Sequence, residues 1–466
     1  MIIINLAVFF FLPFTLGALV VAAVSGKKAS CFNIWERIAF SFPLGLGLLA
    51  ITMYLLDLAG VPVTLINIAI VLFTYYAILI GYLLFTKALN RPFLSIPKPS
   101  FDLDWQERIL FLLISLKVLF AFFSALVKPM IDVDAFQFYS IVAKGLYYKH
   151  TLLTPYISTY IGGKPPFPFL AQGWVLIGLQ TTNDAWLKIL SPILFISLLV
   201  LFYNVLRKSV TRKISLLFTF MLSSLPFLLY HTTTAYADVP VTFYFTVSCL
   251  YLFRFLKDFY DRPAERNYAP LAISLIMAAV TVWAKHAGLM LAGANILTLL
   301  IFLFSQRKQL YVKEIKGIAS IIFILFLLIT PLIVPRVNFL IGTLSGLTGH
   351  NDVAVQAIAK NVVDVPISER TVKIGQIFTG KLFLYSDWHL TWALLLVSLL
   401  FFFRRALAVP QRYLLCVLVL AVMSVFVQFE SSGVFVWLLD GTLFDRLVMN
   451  EVPLALFVSA QIIGHQ

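Results

Sequence analysis

The stretch that decides the fold is IIINLAVFFFLPFTLGALVVAAV, residues 2–24, in which only Asn5 and Thr15 carry side chains that form hydrogen bonds. A helix needs about 20 consecutive apolar residues to cross the ~30 Å hydrocarbon core of a bilayer. This uncharged run therefore predicts a membrane helix. It lacks a basic segment before it and a small-residue cleavage pattern after it, so we expect it to be retained rather than removed as a signal peptide.

The rest of the chain has the same character, since 61% of the 466 residues are hydrophobic and 12% are charged. Soluble domains average about 45–50% apolar and about 25% charged residues. Long continuous apolar runs, rather than alternating ones, argue against a membrane β-barrel. The pattern predicts an all-α polytopic membrane protein with about 13 transmembrane helices. The predicted spans are residues 2–24, 38–59, 62–86, 109–127, 184–205, 214–230, 239–256, 268–284, 287–304, 317–334, 389–403, 413–429 and 447–463.

The basic residues indicate how the helices are oriented. The net charge is +14, but the lysines and arginines are spread over every second short loop and form no patch, which argues against a nucleic-acid partner. The positive-inside rule assigns these loops to the cytoplasm. The outward-facing segments are then residues 128–183, 231–237, 335–388 and 430–445.

A proline-rich linker, residues 87–105, follows the third predicted helix and predicts a boundary between two modules. We expect an N-terminal three-helix membrane segment over residues 1–105 and a second membrane domain over residues 106–466. The cysteines form no CxxC pair and have no histidine cluster beside them, so neither a disulfide nor a metal site is expected. They are Cys31, Cys249 and Cys416.

Two aspartates precede an amphipathic stretch in the first long outer segment. The apolar residues of FQFYSIVAKGLYY, residues 136–148, fit one face of a helix, which predicts a helix along the membrane surface. We expect it to begin directly after Asp134, where the helix dipole favours an ionised carboxylate. An N-cap is the simpler explanation of Asp134, and capping is compatible with catalysis. Asp132 is either a second functional carboxylate or a solvated loop residue.

Other charged residues lie at predicted outer helix ends. Asp238 follows YHTTTAYA, residues 230–237, at the first turn of a helix, where a cap again explains it locally. Lys285 and His286 interrupt an apolar run, and a snorkelling lysine is the alternative there. Arg446 opens the last predicted helix. An ionisable side chain near the membrane costs free energy unless it has a function or an ion-pair partner. An anionic lipid head group is a natural partner for cations that face outward.

The order of these motifs resembles the membrane-embedded C-type (GT-C) glycosyltransferases that use polyprenyl-phosphate sugars, which are related to protein O-mannosyltransferases and lipid A aminoarabinose transferases. The resemblance extends from about residue 106 to the end. The motifs that carry it are the aspartate followed by aromatics and AKGLY, KPPFPFLAQGW (164–174), YADVPVTFYF (236–245), WAKHAGLML (283–291) and FDRLVMNEVPL (444–454).

The resemblance implies roles for individual residues. Asp134 matches the catalytic base, and Asp132 is an additional carboxylate that could act instead. Asp238 matches a second acidic residue that positions substrate or, in some members of the family, binds a metal. Lys285 and Arg446 match the cations that hold the donor phosphate. The expected reaction is inverting transfer of a sugar from a polyprenyl-phosphate donor to a hydroxyl of a glycan, lipid or protein at the outer face of the cytoplasmic membrane.

Four further residues in the same motifs are expected to contact substrate: Tyr139, Lys144, Lys164 and His286. The family often has a second acid directly after the first-loop aspartate, but Ala135 stands there in this chain. This departure weakens the case for a divalent metal, which stays possible, and the sequence points to no other cofactor.

Two other functions remain open. An O-antigen-type ligase or polymerase would use the loop 335–388, which contains Arg336, His350 and Arg370. A secondary transporter or lipid flippase would need ionisable residues near the middle of several membrane helices. The clustering of acidic residues at one face argues against transport.

Overall fold

The computed structural model describes residues 2–26, 31–87, 103–154, 157, 161, 164–261, 266–308, 316–332, 367–384, 386–431 and 435–464. Within these ranges the protein is helical and contains no strand, which confirms the predicted all-α class. Most of the predicted linker 87–105 and of the predicted outer loop 335–388 lies outside the described residues.

The helices follow the apolar runs closely. In chain order they are α1 (Ile2–Ser25), α2 (Ile34–Leu58), α3 (Leu65–Phe85), α4 (Trp105–Val127), α5 (Ile141–Lys149), α6 (Phe167–Leu179), α7 (Leu190–Leu206), α8 (Arg212–Ser223), α9 (Pro226–His231), α10 (Asp238–Asp261), α11 (Ala269–Ala284), α12 (Ala287–Ser305), α13 (Lys316–Leu332), α14 (Ile367–Phe383), α15 (Thr391–Phe401), α16 (Phe403–Ala406), α17 (Gln411–Ser431), α18 (Phe435–Leu439), α19 (Phe444–Val448) and α20 (Val452–Gly464).

Among the described residues, eight helices are long and apolar enough to cross a membrane. They are α1 to α4, α7 together with the 3₁₀ turn Asp184–Ile189 before it, α10, α12 and α17. Shorter apolar helices, including α6, α11 and α20, accompany them. The chain is therefore a multi-pass membrane protein.

Two predicted spans differ from the structure. The prediction of one continuous helix over residues 214–230 is wrong, because α8 ends at Ser223 and α9 begins at Pro226. Proline has no backbone N–H to continue a helix, but it fits the first turn of a new one. In the last predicted span, Arg446 lies in the separate short helix α19, and α20 begins only at Val452.

Close backbone contact joins α1 to α2. A Cβ atom added at Gly17 would lie 1.8 Å from the carbonyl oxygen of Ser41, and one added at Gly45 would lie 1.7 Å from that of Pro13. Only glycine allows this approach. The α1–α2 pair also packs against α6 and α7, so the first predicted module shares a hydrophobic core with the rest of the described chain. The boundary near residue 105 stays a prediction.

A buried carboxylate ties α2 to the core at the end of the molecule predicted to face the cytoplasm. Glu36 is fully buried and accepts hydrogen bonds from Tyr251 at 2.7 Å, from Arg254 at 2.8 Å and from Lys208 at 2.9 Å. Tyr251 and Arg254 belong to α10, which is buried throughout its apolar stretch. The opposite end of α10 begins at Asp238, so this central helix positions the candidate site.

Candidate functional site

A cavity of about 790 Å³ lies where the segment just before α10, the turn between α11 and α12, and α19 meet the helical residues 133–140 that precede α5. Its wall combines charged side chains with aromatic rings. Residues lining it include Asp134, Phe138, Tyr139, Lys164, Phe169, Phe227, Tyr230, His231, Tyr236, Lys285, His286, Trp437, Asp445 and Arg446.

Four charged residues form one connected ion cluster at this cavity: Asp134, Asp238, Lys285 and Arg446. The guanidinium of Arg446 donates from Nη1 to Oδ2 of Asp134 at 2.7 Å and from Nη2 to Oδ2 of Asp238 at 2.9 Å. Lys285 donates from Nζ to Oδ1 of Asp238 at 2.6 Å. Each carboxylate therefore has a cationic partner, and Asp238 has two.

Local backbone structure explains why these side chains meet. Asp238 is the first residue of α10, and α11 ends at Ala284, so that Lys285 is extended with φ −159° and ψ 159°. This break turns the chain into α12 and places the lysine at the helix end. Arg446 lies within the five-residue helix α19. Charged residues at helix ends can reach one another without disturbing the apolar helix bodies.

Burial differs strongly across the ion cluster. The side chain of Asp238 is 0% exposed and those of Lys285 and Arg446 are 17% and 19% exposed, whereas that of Asp134 is 36% exposed. Burial lowers the pKa of Lys285, against the raising effect of the Asp238 carboxylate. Burial acts in the same direction on Arg446, but the carboxylates of Asp238 and Asp134 outweigh it and raise its pKa. Asp134 is thus the carboxylate most open to the cavity.

The two neighbouring aspartates have different surroundings. The helical segment starts at the predicted place, since its first element, the π-helix Ala135–Ser140, directly follows Asp134, and only Val133 and Asp134 precede it with helical backbone. Asp134 makes no side-chain cap and binds Arg446 instead. Asp132 is 8% exposed and accepts a hydrogen bond from the hydroxyl of Tyr230. It is therefore not a solvated loop residue.

Lys164 stands out among the cations that line the cavity. Its ammonium lies 3.5 Å from the centroid of the Phe138 ring, and no carboxylate is within salt-bridge distance of it among the described residues. Burial lowers its pKa, although Asp134 acts in the opposite direction. Lys164 is thus a cavity cation that forms no salt bridge among the described residues.

The remaining predicted contact residues separate into two groups. Tyr139 and His286 line the cavity, and the ring of Tyr139 packs against that of Phe169 with centroids 5.3 Å apart. Lys144 does not line it. Its ammonium pairs with Asp184 at 2.8 Å, which tethers α5 to the 3₁₀ turn before α7. We therefore leave Lys144 out of the candidate site.

The sequence reasoning did not single out several residues of the cavity wall. His231 is 1% exposed and packs against Phe227 with tilted rings whose centroids are 4.5 Å apart, and burial lowers its pKa to about 4. Tyr236 lies under the guanidinium of Arg446, 4.7 Å from its carbon to the ring centroid. Both residues stand in the short segment just before Asp238. The concentration of polar aromatic residues there was the available signal.

Asp445 was also missed, although it is adjacent to Arg446. It is 5% exposed and accepts a hydrogen bond from Lys381 of α14 at 2.7 Å. Phe378, also on α14, packs edge-on against Phe444 at 4.7 Å. These contacts fix α14 against α19 and so support the position of Arg446.

Metal ligation has no support within the described part of the chain, where no group of three or more histidine, cysteine or acidic residues could hold an ion. The carboxylates of the ion cluster bind cationic side chains instead.

Comparison with known proteins gives no further guidance, because no protein-family model, curated protein or solved structure matches the chain.

Proposed function

We propose that the protein is a GT-C-like glycosyltransferase that moves a sugar from a polyprenyl-phosphate donor to an acceptor hydroxyl. The observation that carries this proposal is the ion cluster in a cavity at the ends of membrane helices. A half-exposed carboxylate and several cations lie side by side there, at the boundary where a lipid phosphate and a polar acceptor can meet. The similar order of motifs in the sequence supports the same conclusion.

The donor phosphate would bind at the cations that line the cavity. Lys164 has no carboxylate to displace, and Arg446 presents a planar group with several donors. Lys285, which pairs with Asp238, is the third cation. A phosphate leaving group needs its developing charge stabilised, and preorganised cations in a site with little water do this effectively.

Asp134 would act as the base. It is the cluster carboxylate most open to the cavity, and the hydrogen bond from Nη1 of Arg446 to its Oδ2 holds it in place there. In the reaction the acceptor oxygen forms a bond to the anomeric carbon, the bond from that carbon to the phosphate oxygen breaks, and the hydroxyl proton passes to Asp134. A single displacement of this kind inverts the anomeric centre. Asp238, buried between two cations, would position them without contacting the reacting atoms.

The membrane arrangement of the proposal follows the charge distribution of the loops. The domain from residue 106 onward would carry the chemistry, and the shorter apolar helices would complete about 13 spans. The cavity would face the outer side of the cytoplasmic membrane, since the basic loops lie at the opposite helix ends. A donor with an isoprenoid tail could then enter from the bilayer, while a glycan, lipid or protein acceptor arrives from outside.

A transfer assay with purified protein in liposomes tests the proposal. Undecaprenyl-phosphate hexoses and pentoses are offered with membrane glycolipids as acceptors, and transfer is followed through release of undecaprenyl phosphate. We expect Asp134→Asn to lower the rate by about 10² to 10⁴, the usual contribution of a positioned base. Asp184→Asn is the control, because it removes an aspartate that pairs with Lys144 away from the cavity. Equal rates for wild type and Asp134→Asn would refute the proposed mechanism.

A further inference from the structure

A second polar cavity, here called the loop cavity, lies at the end of the molecule predicted to face the cytoplasm. It has a volume of about 380 Å³ and is lined by residues 207–212, which connect α7 to α8. Its cations are Arg207, Lys208 and Arg212. Lys208 binds Glu36, which also binds Arg254 in the last third of α10. The loop cavity therefore lies toward the opposite end of α10 from the ion cluster.

Two of the three cations are held by buried carboxylates. Nζ of Lys208 donates to Oε1 of Glu36 at 2.9 Å, and Nη2 of Arg212 donates to Oε2 of Glu107 at 2.6 Å. The side chains of Glu36 and Glu107 are 0% and 5% exposed, whereas those of Lys208 and Arg212 are 36% and 35% exposed. The carboxylates are thus covered by protein, and a ligand that enters the loop cavity meets the cations.

Arg207 is the cation best placed to bind such a ligand. Its side chain is exposed and forms no salt bridge among the described residues. Nη1 of Arg207 donates a long hydrogen bond of 3.4 Å to the carbonyl oxygen of Val210, so most of the guanidinium N–H groups are available. The neighbouring Lys213 and Asp104 pair with each other at 3.3 Å and leave the charge of Arg207 unmatched.

Two exposed tryptophans indicate the depth of the loop cavity in the membrane. Trp35 is 55% exposed and directly precedes Glu36, and Trp105 is 69% exposed and stands two residues before Glu107. Tryptophan side chains concentrate at the level of the lipid head groups, because the ring is apolar and its N–H is polar. The apolar helices α4 and α7 also begin and end at this level. The loop cavity therefore lies where lipid phosphates lie.

We propose that the loop cavity binds the phosphate group of an anionic phospholipid from the adjacent leaflet. Arg207 offers a planar group that can donate two hydrogen bonds to one phosphate, and Lys208 and Arg212 add positive charge in fixed positions. The lipid chains would lie in the bilayer beside α4, whose apolar side chains are mostly exposed. A zwitterionic phospholipid fits less well, because these cations repel its ammonium group. This site is independent of the ion cluster and of sugar transfer.

Photocrosslinking of the full-length protein in phosphatidylcholine nanodiscs tests this proposal at the site itself. The probe is phosphatidylglycerol with a diazirine on its glycerol head group, and mass spectrometry locates the crosslinked residues. We expect crosslinks in residues 207–212. Unlabelled phosphatidylglycerol should displace the probe at mole fractions at least about 10-fold lower than phosphatidylethanolamine requires, because each basic residue near a lipid surface contributes about a factor of five in affinity. Millimolar inorganic phosphate should not displace it.

Arg207→Gln is the informative variant, because Lys208 and Arg212 also hold buried carboxylates and their loss could unfold the protein. It should lower crosslinking at residues 207–212 about 5-fold while the unfolding temperature in pure phosphatidylcholine stays at the wild-type value. The control is Arg404→Gln, which removes an exposed arginine of α16 outside the loop cavity and should leave the crosslinking unchanged.

Three results would overturn the proposal. Equal displacement by phosphatidylethanolamine and phosphatidylglycerol would show that the anionic charge is not recognised. An equal loss of crosslinking in Arg404→Gln and Arg207→Gln would show a diffuse attraction to basic loops rather than a site. Displacement of the probe by millimolar inorganic phosphate would identify a site for soluble phosphate compounds instead of a lipid.

Discussion

Asp134 and Arg446 are 312 positions apart in the sequence, yet Nη1 of Arg446 lies 2.7 Å from Oδ2 of Asp134. The same guanidinium also binds Asp238, the first residue of the central helix α10. One side chain thus joins the helical residues that precede α5, the start of α10 and the short helix α19. The candidate site exists only when these three parts of the chain are packed together.

The two carboxylates bound by Arg446 should differ in their contribution to stability. Asp238→Asn leaves two cations near a fully buried neutral group, and we expect a loss of about 3–5 kcal/mol. Asp134→Asn affects a side chain that is 36% exposed, and we expect at most about 1 kcal/mol. Thermal unfolding of both variants in nanodiscs measures the difference. Similar unfolding temperatures for the two would contradict the burial seen here.

Arg446→Lys tests the need for a guanidinium that bridges two carboxylates. A lysine keeps the charge, but a single ammonium cannot reproduce the separate donors that reach Asp134 and Asp238. We expect the transfer rate to fall about 10²-fold or more, as when a positioned donor is removed from an active site. Arg404→Lys, an exposed arginine in α16, serves as control. Retention of the full rate by Arg446→Lys would show that charge alone suffices.

The buried contacts of Glu36 should matter for stability alone. Glu36→Gln leaves Arg254 without its buried carboxylate partner, and we expect a loss of about 3–5 kcal/mol. Asp261→Asn, which breaks an exposed helical pair with Lys257, should cost about 0.5 kcal/mol or less. Unfolding temperatures give the comparison, and the transfer rate per folded molecule should stay at the wild-type value in both. A lowered rate for Glu36→Gln would mean that the two ends of α10 are coupled.

His231 should make the protein less stable in acid. Burial lowers its pKa to about 4, below the ordinary value near 6.5, so the unfolded chain binds a proton that the folded protein does not. Stability should therefore fall by about 1.4 kcal/mol for each pH unit between 6.5 and 4. Unfolding temperatures over this range should fall less steeply for His231→Gln than for wild type. The exposed His150→Gln should follow wild type, and parallel curves for all three would exclude this contribution.

The fold class and some positions of the candidate site could be predicted from local sequence. The long apolar runs determined that the chain is helical and crosses a membrane several times, because the bilayer penalises any span whose backbone groups are not paired internally. The positions of Asp238 and Lys285 at helix ends were also readable, since a charged residue between apolar runs marks an end. The proline at position 226 was also a local signal for a helix break, but the predicted continuous span did not take it into account.

The site itself was decided by tertiary structure. Lys144 and Lys164 look alike in sequence, but packing pairs the first with Asp184 and places the second in the cavity without a carboxylate partner among the described residues. Asp132 and Asp134 are two residues apart, yet only the packing of α9 and α19 assigns Tyr230 to one and Arg446 to the other. Apolar periodicity determines which segments enter the membrane. It does not determine which ends meet, because that depends on the packing of helices far apart in the chain.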